Sequence, residues 1–548
     1  MSASSKKKLR NAQAAEKMTE RQMAEQKEAK KLKIYTIVFS VVIIAMLVIA
    51  IGFGAYNGIT NSGIIERNTV AATVNGHDIS SAELNYYYID YINNFSSENS
   101  DWLAYLLDTT KPLDQQFYNE AENQTWADYF LDAALESAAS TYALADAANA
   151  AGHTATDAEL LSVDTAIQNS TFYAMYSYGF PDLQTYLKAM YGPGANEETY
   201  REYLTTSVLA SSYYNYYTGG LSCTEDEIKA ADAENPLNYN SYSYNYYYVP
   251  VSDYLIGGTT GEDGAITYSD AENEAARAAA EEAAKGLIVD AVTDAESFDA
   301  AIALIDAEST SFACEDYLYK SLLSVAQEWI SDPARKAGDK NYFAYTTHTH
   351  AEGETHSEDE DTSAFDEVKG YYVVLFNGMT DNTMELVNVR HALITEGGTY
   401  NSSTGRYDYT DDMAAAKAKA EDLLAQWQAG DATEETFIEL AKANSSDGNA
   451  STGGLYENVY PGQMMDEYND WCFDPARKTG DTGIVKTVYG YHIMYFVGNS
   501  GTTYRNHMIE EELLNGKITE WYDGLTANVT SELKETKHIT TDLILNAA

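Results

Sequence analysis

The sequence predicts an α+β architecture behind a single N-terminal transmembrane helix: a helical region, two tandem copies of one small α+β module with the first degenerate, and a C-terminal helix. Three observations carry this. An uncharged apolar run from Ile34 to Phe53 follows a lysine-rich start. The string Trp329-Ile-Ser-Asp-Pro-Ala-Arg-Lys-Ala-Gly-Asp339 recurs as Trp471-Cys-Phe-Asp-Pro-Ala-Arg-Lys-Thr-Gly-Asp481, with seven of the last eight residues identical. His391 and His492 each lie inside a short apolar run, Val387 to Ile394 and Gly490 to Phe496, of the kind that forms buried strands.

At 548 residues the chain exceeds one core and should divide into several domains. Residues 1–33 carry ten Lys or Arg against four Glu, and the twenty residues after them, at ~1.5 Å each, match the ~30 Å hydrocarbon layer of a bilayer. A cleaved signal peptide would have a shorter basic region and a shorter apolar run, so 34–54 reads as a retained anchor. The basic tail then stays cytoplasmic and the bulk of the chain is extracytoplasmic. No lipobox-like cysteine follows the apolar run.

The net charge is −50, and removing the tail leaves 24 basic against 80 acidic residues. Nucleic acid is excluded as a partner, because binding phosphates requires clustered cations. Cys223, Cys314 and Cys472 are an odd, dispersed set without a C-x-x-C pair, so stability rests on cores and not on a disulfide framework.

The region 69–238 opens with a strand ending at Asn75-Gly76 and a Ser80-x-x-Glu83 capping box. Apolar spacings of three and four predict helices over 114–151, 155–170, 180–191 and 195–218, and a further helix from Thr224 that stops at Asn235-Pro236. The first copy of the repeat covers 240–380. Tyr246-Tyr-Tyr-Val-Pro-Val251 stands where Val389 to Ile394 stands in the second, which sets Tyr248 in place of His391; Tyr372 takes the place of His492. Its insertion, 345–366, holds His348, His350 and His356 among carboxylates and reads as a solvated acidic loop more readily than a metal site. A helix is expected from 504 to 534, within the C-terminal segment 501–548.

Over 385–500 the order of His391, Phe437 to Asp447, Gly453-Gly454-Leu455, Pro461-Gly-Gln-Met464, Asp474 to Asp481 and His492 resembles the parvulin family of peptidyl-prolyl isomerases. The strand, capping box and helical region ahead of it look like the N-terminal chaperone region of SurA/PrsA-type foldases. In such proteins the segment after the parvulin module returns to the N-terminal helices.

The resemblance implies that Leu455, Met464 and Tyr468 line a proline pocket, with Tyr468 where the family usually has Phe. It makes His391 and His492 the paired core histidines, Asp447 the group facing the substrate carbonyl, and Thr487 the hydroxyl supporting the histidines. The family's Gly-Gly-Asp-Leu-Gly becomes Gly453-Gly-Leu-Tyr-Glu457 here. The first copy, lacking both histidines, is expected to fold without catalysing.

Prolyl isomerisation suits such a site because it needs no covalent step, metal or cofactor. The barrier of ~18–20 kcal/mol is the amide resonance, and an apolar, water-poor cradle favours the twisted amide over the planar one. The expected partners are unfolded secreted polypeptides and, through one helix, the membrane. The alternative is a holdase chaperone in which both modules are inactive. No Walker loop, dinucleotide fingerprint or His-Glu-x-x-His supports a nucleotide-binding or zinc-protease reading.

Overall fold

The computed structural model describes residues 63–261, 264–348, 366–410, 412–543 and 545. The anchor at 34–54 and the core of the acidic insertion, 349–365, lie outside the described residues. Among the described residues no helix is long and apolar enough to cross a membrane. The chain divides into two compact units, with boundaries at Cys223/Thr224 and Glu512/Leu513.

The first unit starts with a hairpin, β1 (Val70–Val74) and β2 (His77–Ser80). Its turn is Asn75-Gly76, both at positive φ, a pairing whose twist matches that of the strands. Ser80 accepts from the Glu83 N–H and so starts α1 (Ser81–Glu98). Four longer helices follow: α2 (Trp126–Ala151), α3 (Asp157–Phe172), α4 (Leu183–Tyr191) and α5 (Glu197–Gly219).

The helix expected from residue 114 begins only at Trp126. Thr125 and Asp128 form a capping box there, and a small hairpin, Phe117–Asn119 with Gln124–Thr125, occupies the preceding residues. Helical periodicity in 114–125 was outweighed by this cap and turn. The core is rich in tyrosine: Tyr86 and Tyr88 are fully buried beside Phe130 and Leu84, and the Tyr86 ring lies 4.9 to 5.4 Å from those of Tyr191, Tyr200 and Tyr203.

In the other unit α6 (Glu225–Glu234) is capped by Thr224 and ends at Asn235, ahead of Pro236. Two four-stranded antiparallel sheets follow. The first orders its strands β4 (Phe312–Leu318), β3 (Ser241–Pro250), β6 (Asp366–Thr380), β5 (Lys340–His348), with α7 (Asp270–Gly286) and α8 (Ala295–Ile302) between β3 and β4. Residues 345–348 and 366, read from sequence as insertion, are therefore strand.

The second sheet repeats the plan as β8 (Leu455–Val459), β7 (Glu385–Ile394), β10 (Gly490–Thr503), β9 (Thr482–Thr487), with α9 (Ala414–Ala429) and α10 (Glu434–Asn444) between β7 and β8. A short helix, α11 (Asp466–Cys472), precedes β9.

The register aligns the two copies and corrects one sequence equivalence. Met494 pairs with His391, and its counterpart Val374 pairs with Tyr246. Tyr246, not Tyr248, therefore occupies the His391 position; Tyr248 pairs with Tyr372 and corresponds to Leu393. Likewise Gly370 pairs with Tyr345 as Gly490 pairs with Thr487, so Tyr345 occupies the Thr487 position. Counting along the sequence from the repeated tyrosine-rich run misses this, since only cross-strand pairing fixes which residues face each other.

The repeated eleven-residue string makes the same contacts twice. The Arg335 and Arg477 guanidinium groups each lie 4.0 Å over the ring of Trp329 or Trp471, and each Nε donates to that tryptophan's carbonyl. This cation–π clasp, worth about 0.5–2 kcal/mol, explains the repetition as a structural requirement of the turn before β5 and β9.

The C-terminal part of the chain returns to the first unit. The helix α12 (Tyr504–Thr526) ends earlier than the sequence suggested, and β11 (Ser531–Leu533) pairs antiparallel with β1. Trp521 stacks on Tyr217 with centroids 4.0 Å apart, and Ile539 and Leu543 complete the core of that unit.

Candidate functional site

Strand alternation brings His391 from β7 and His492 from β10 onto the same face of the second sheet, at adjacent strands. Both are buried, at 3 % and 6 % exposure. Their Nδ1 atoms are 3.0 Å apart, and His492 Nε2 is 2.8 Å from the Thr487 hydroxyl. The Tyr489 N–H donates to that hydroxyl at 3.1 Å.

One tautomer set fits all these contacts: the Thr487 hydroxyl donates to His492 Nε2, His492 Nδ1–H donates to His391 Nδ1, and the His391 proton lies on Nε2, where the facing Asp447 carboxylate favours it. That last contact is long: Nε2 to Oδ2 is 3.3 Å, electrostatic in character and without the alignment of a hydrogen bond.

Burial pushes the His492 pKa well below its ordinary value, and the neighbouring His391 charge lowers it further. Burial raises the Asp447 pKa, but the His391 imidazole and donors from Asn449 N–H and the Tyr456 hydroxyl outweigh it and hold the carboxyl at about 2. The site thus carries an anion beside two imidazoles.

An apolar cluster lies against these groups. Tyr468, from α11, is 2 % exposed, and its ring stands edge-on to both imidazoles with centroids 5.4 Å away. Met464, Met465 and Tyr456 are half-buried and pack on the same cluster, together with Val389 and Met494. The Tyr468 hydroxyl is buried without a hydrogen-bond partner among the described residues.

Of the residues singled out in the sequence, His391, His492, Thr487, Asp447, Met464 and Tyr468 converge here. Leu455 does not join the cluster; it pairs with Arg390 on β7, and the next residue, Tyr456, takes the place beside Met464. In a strand adjacent side chains face opposite ways, so a one-residue choice decides which one meets the pocket.

Two supporting residues, Arg390 and Gly454, were given no individual role by the sequence. Arg390, 9 % exposed, bonds Glu434 at 2.8 Å and the carbonyls of Thr452 and Gly453 at 3.1 Å each, which pins the glycine loop. Gly454 has φ +69 and packs on the His391 backbone so closely that a Cβ would overlap the His391 carbonyl oxygen. The adjacent glycines in the sequence were the available signal for this approach; nothing marked Arg390.

Among the described residues no group of His, Cys, Asp and Glu is disposed to hold a metal ion.

Comparison with known proteins agrees with this geometry. The family model described as PPIC-type PPIase domain matches residues 371–498, and the SurA-like N-terminal domain matches 21–213. Foldase protein PrsA 1 of Listeria monocytogenes serovar 1/2a is 30 % identical over 135 residues, 24 % of this chain and 42 % of the relative, and that of Listeria innocua serovar 6a matches to the same extent. The chain therefore spans less than half the length of these curated relatives.

Among solved structures, PrsA from Bacillus subtilis is 24 % identical over 28 % of this chain and 54 % of its own, with a TM-score of 0.19. The peptidylprolyl isomerase PrsA from Bacillus anthracis is 19 % identical over 27 % and 59 %, with a TM-score of 0.18. A SurA-like N-terminal domain match thus precedes a PPIC-type PPIase domain match, and in these two domains and their order the chain resembles SurA/PrsA-like proteins of the parvulin type.

Proposed function

We propose that the chain is a membrane-anchored extracytoplasmic foldase whose second module catalyses cis/trans isomerisation of X-Pro bonds in unfolded secreted polypeptides. The observation that carries this is the buried His391–His492 pair, braced by Thr487 and Asp447, under the apolar side chains of Met464, Tyr456 and Tyr468. Proline would sit on the apolar cluster, where exclusion of water disfavours the charge-separated planar amide. An acceleration of ~10³–10⁵ requires ~4–7 kcal/mol of preferential binding to the twisted amide.

The first module has tyrosines at all three corresponding positions, Tyr246, Tyr372 and Tyr345. These cannot form an imidazole relay, and we assign this module a holding role for unfolded chains, shared with the helical N-terminal region. The anchor is residues 34–54, which would leave the domains outside the cytoplasm.

A protease-coupled proline-peptide assay on the full chain tests the reading. Wild type should accelerate isomerisation, with His391→Ala and Met464→Ala each reducing it at least tenfold. Acceleration no greater than buffer would leave the non-catalytic holdase, a reading favoured by one feature, the unpartnered Tyr468 hydroxyl buried beside the imidazoles.

A further inference from the structure

Resting on the isomerase reading, we propose that Tyr456 is a positioning residue of this site, holding Asp447 so that one carboxylate oxygen remains aimed at His391. The two oxygens of Asp447 are used differently. Oδ1 accepts from the Tyr456 hydroxyl and from the Asn449 N–H, both at 3.1 Å. Oδ2 faces His391 Nε2 at 3.3 Å. With two donors on Oδ1, rotation of the carboxylate would break both bonds, so its orientation toward the imidazole is fixed.

The same residue borders the pocket. The Tyr456 ring stands edge-on to His391, with centroids 5.1 Å apart and an interplanar angle of 83°, and it packs on the cluster that includes Tyr468 and Met464. It is thus at once an apolar wall and a donor to the buried anion. An aliphatic side chain here would supply the wall alone, leaving the peptide N–H of Asn449 as the remaining donor to Oδ1 among the described residues. Such an assignment also gives the altered Gly453-Gly-Leu-Tyr-Glu457 loop a chemical role, since its tyrosine adds a polar contact to the histidine network.

The mechanism follows from the tautomer assignment. A carboxylate facing His391 Nε2 favours the tautomer with the ring proton there; a mobile carboxylate would let the proton between the two Nδ1 atoms pass from His492 to His391. Tyr456 acts through Asp447 and His391, and the reacting amide need not touch its hydroxyl.

The test compares wild type, Tyr456→Phe and Tyr456→Leu as full chains, by steady-state isomerisation and by ring-¹⁵N signals of labelled histidine, with His391 assigned through His391→Gln. Tyr456→Phe keeps the wall and should lower kcat roughly threefold to tenfold with KM unchanged, while shifting the His391 ring signals. Tyr456→Leu should raise KM as well.

Activity in wild type with neither kcat nor His391 signals altered in Tyr456→Phe overturns the positioning role. If wild type shows no isomerisation but the His391 signals still move, the positioning role stands and the isomerase reading fails. Inactivity with unmoved signals overturns both.

Discussion

His391 and His492, 101 residues apart in sequence, are joined by a hydrogen bond between Nδ1 atoms 3.0 Å apart. Neither ring meets bulk water, so His492 relies on His391 and Thr487 for its hydrogen bonds, while His391 Nε2 has only the electrostatic contact with Asp447 among the described residues. Stability and protonation in this module are therefore linked.

The first prediction follows from His492, whose depressed pKa means that the unfolded chain binds a proton the folded one refuses. Its stabilising contribution is complete above pH ~6.5 and is lost as pH falls toward the folded pKa, at ~1.4 kcal/mol per pH unit. Asp447 acts in the same sense at lower pH, between ~4 and about 2. Urea unfolding at pH 7.5, 6.5 and 5.5 should give a steeper loss for wild type than for His492→Asn. Equal slopes would contradict the assignment of a neutral buried His492.

Removing the Tyr468 hydroxyl should stabilise the protein. The phenolic oxygen is buried without a partner, so its desolvation is uncompensated and Tyr468→Phe should raise stability by about 1 kcal/mol or more. Thermal melts would register the gain as a higher Tm; an unchanged or lower Tm would mean that the hydroxyl has a partner, such as an internal water.

Gly454→Ala should be severely destabilising, by ~3 kcal/mol or more, because its positive φ combines with direct overlap on the His391 carbonyl. Gly405→Ala is the control: φ is +65 but the space is open, so only the backbone term of about 1–2 kcal/mol applies. Equal losses in chemical denaturation would show that the close approach costs nothing.

Arg505 ties together three chain segments of its unit. It donates to Asp232 at 2.7 Å, to Asn240 at 2.8 Å and to the carbonyls of Pro236 and Asp381, all at a site 9 % exposed. Arg505→Met should destabilise by ~1–3 kcal/mol, because the Asn240 amide oxygen and the Pro236 and Asp381 carbonyls lose their donor. It should also speed proteolysis at 381–385, the connection between the two sheets. Limited proteolysis indistinguishable from wild type would deny the residue that role.

Much of the plan was readable from local signals. Ser80 and Thr224 announced helix starts because a side-chain cap is a contact within four residues, and Asn75-Gly76 announced the end of a strand because few residues tolerate its φ, while the second strand of that hairpin was not read. The repeated Trp-x-x-Asp-Pro-Ala-Arg-Lys-x-Gly-Asp string was equally visible, and its cation–π clasp is local. The tyrosines were ambiguous. Tyrosine supplies 46 of the 548 residues, which composition alone could assign to core packing or to a peptide-binding surface; burial of Tyr86, Tyr88, Tyr242 and Tyr244 makes part of that enrichment core packing.

What the sequence determined by itself was the set of chemically able residues and their order, because caps, turns and apolar runs are each encoded within a few positions. What only the tertiary structure decided was which of them meet. Tyr246 rather than Tyr248 stands at the His391 position, Tyr456 rather than Leu455 packs beside Met464, and Arg390 secures the glycine loop. Each depends on strand register, and register is set by long-range pairing in which a shift of one residue turns every side chain to the other face.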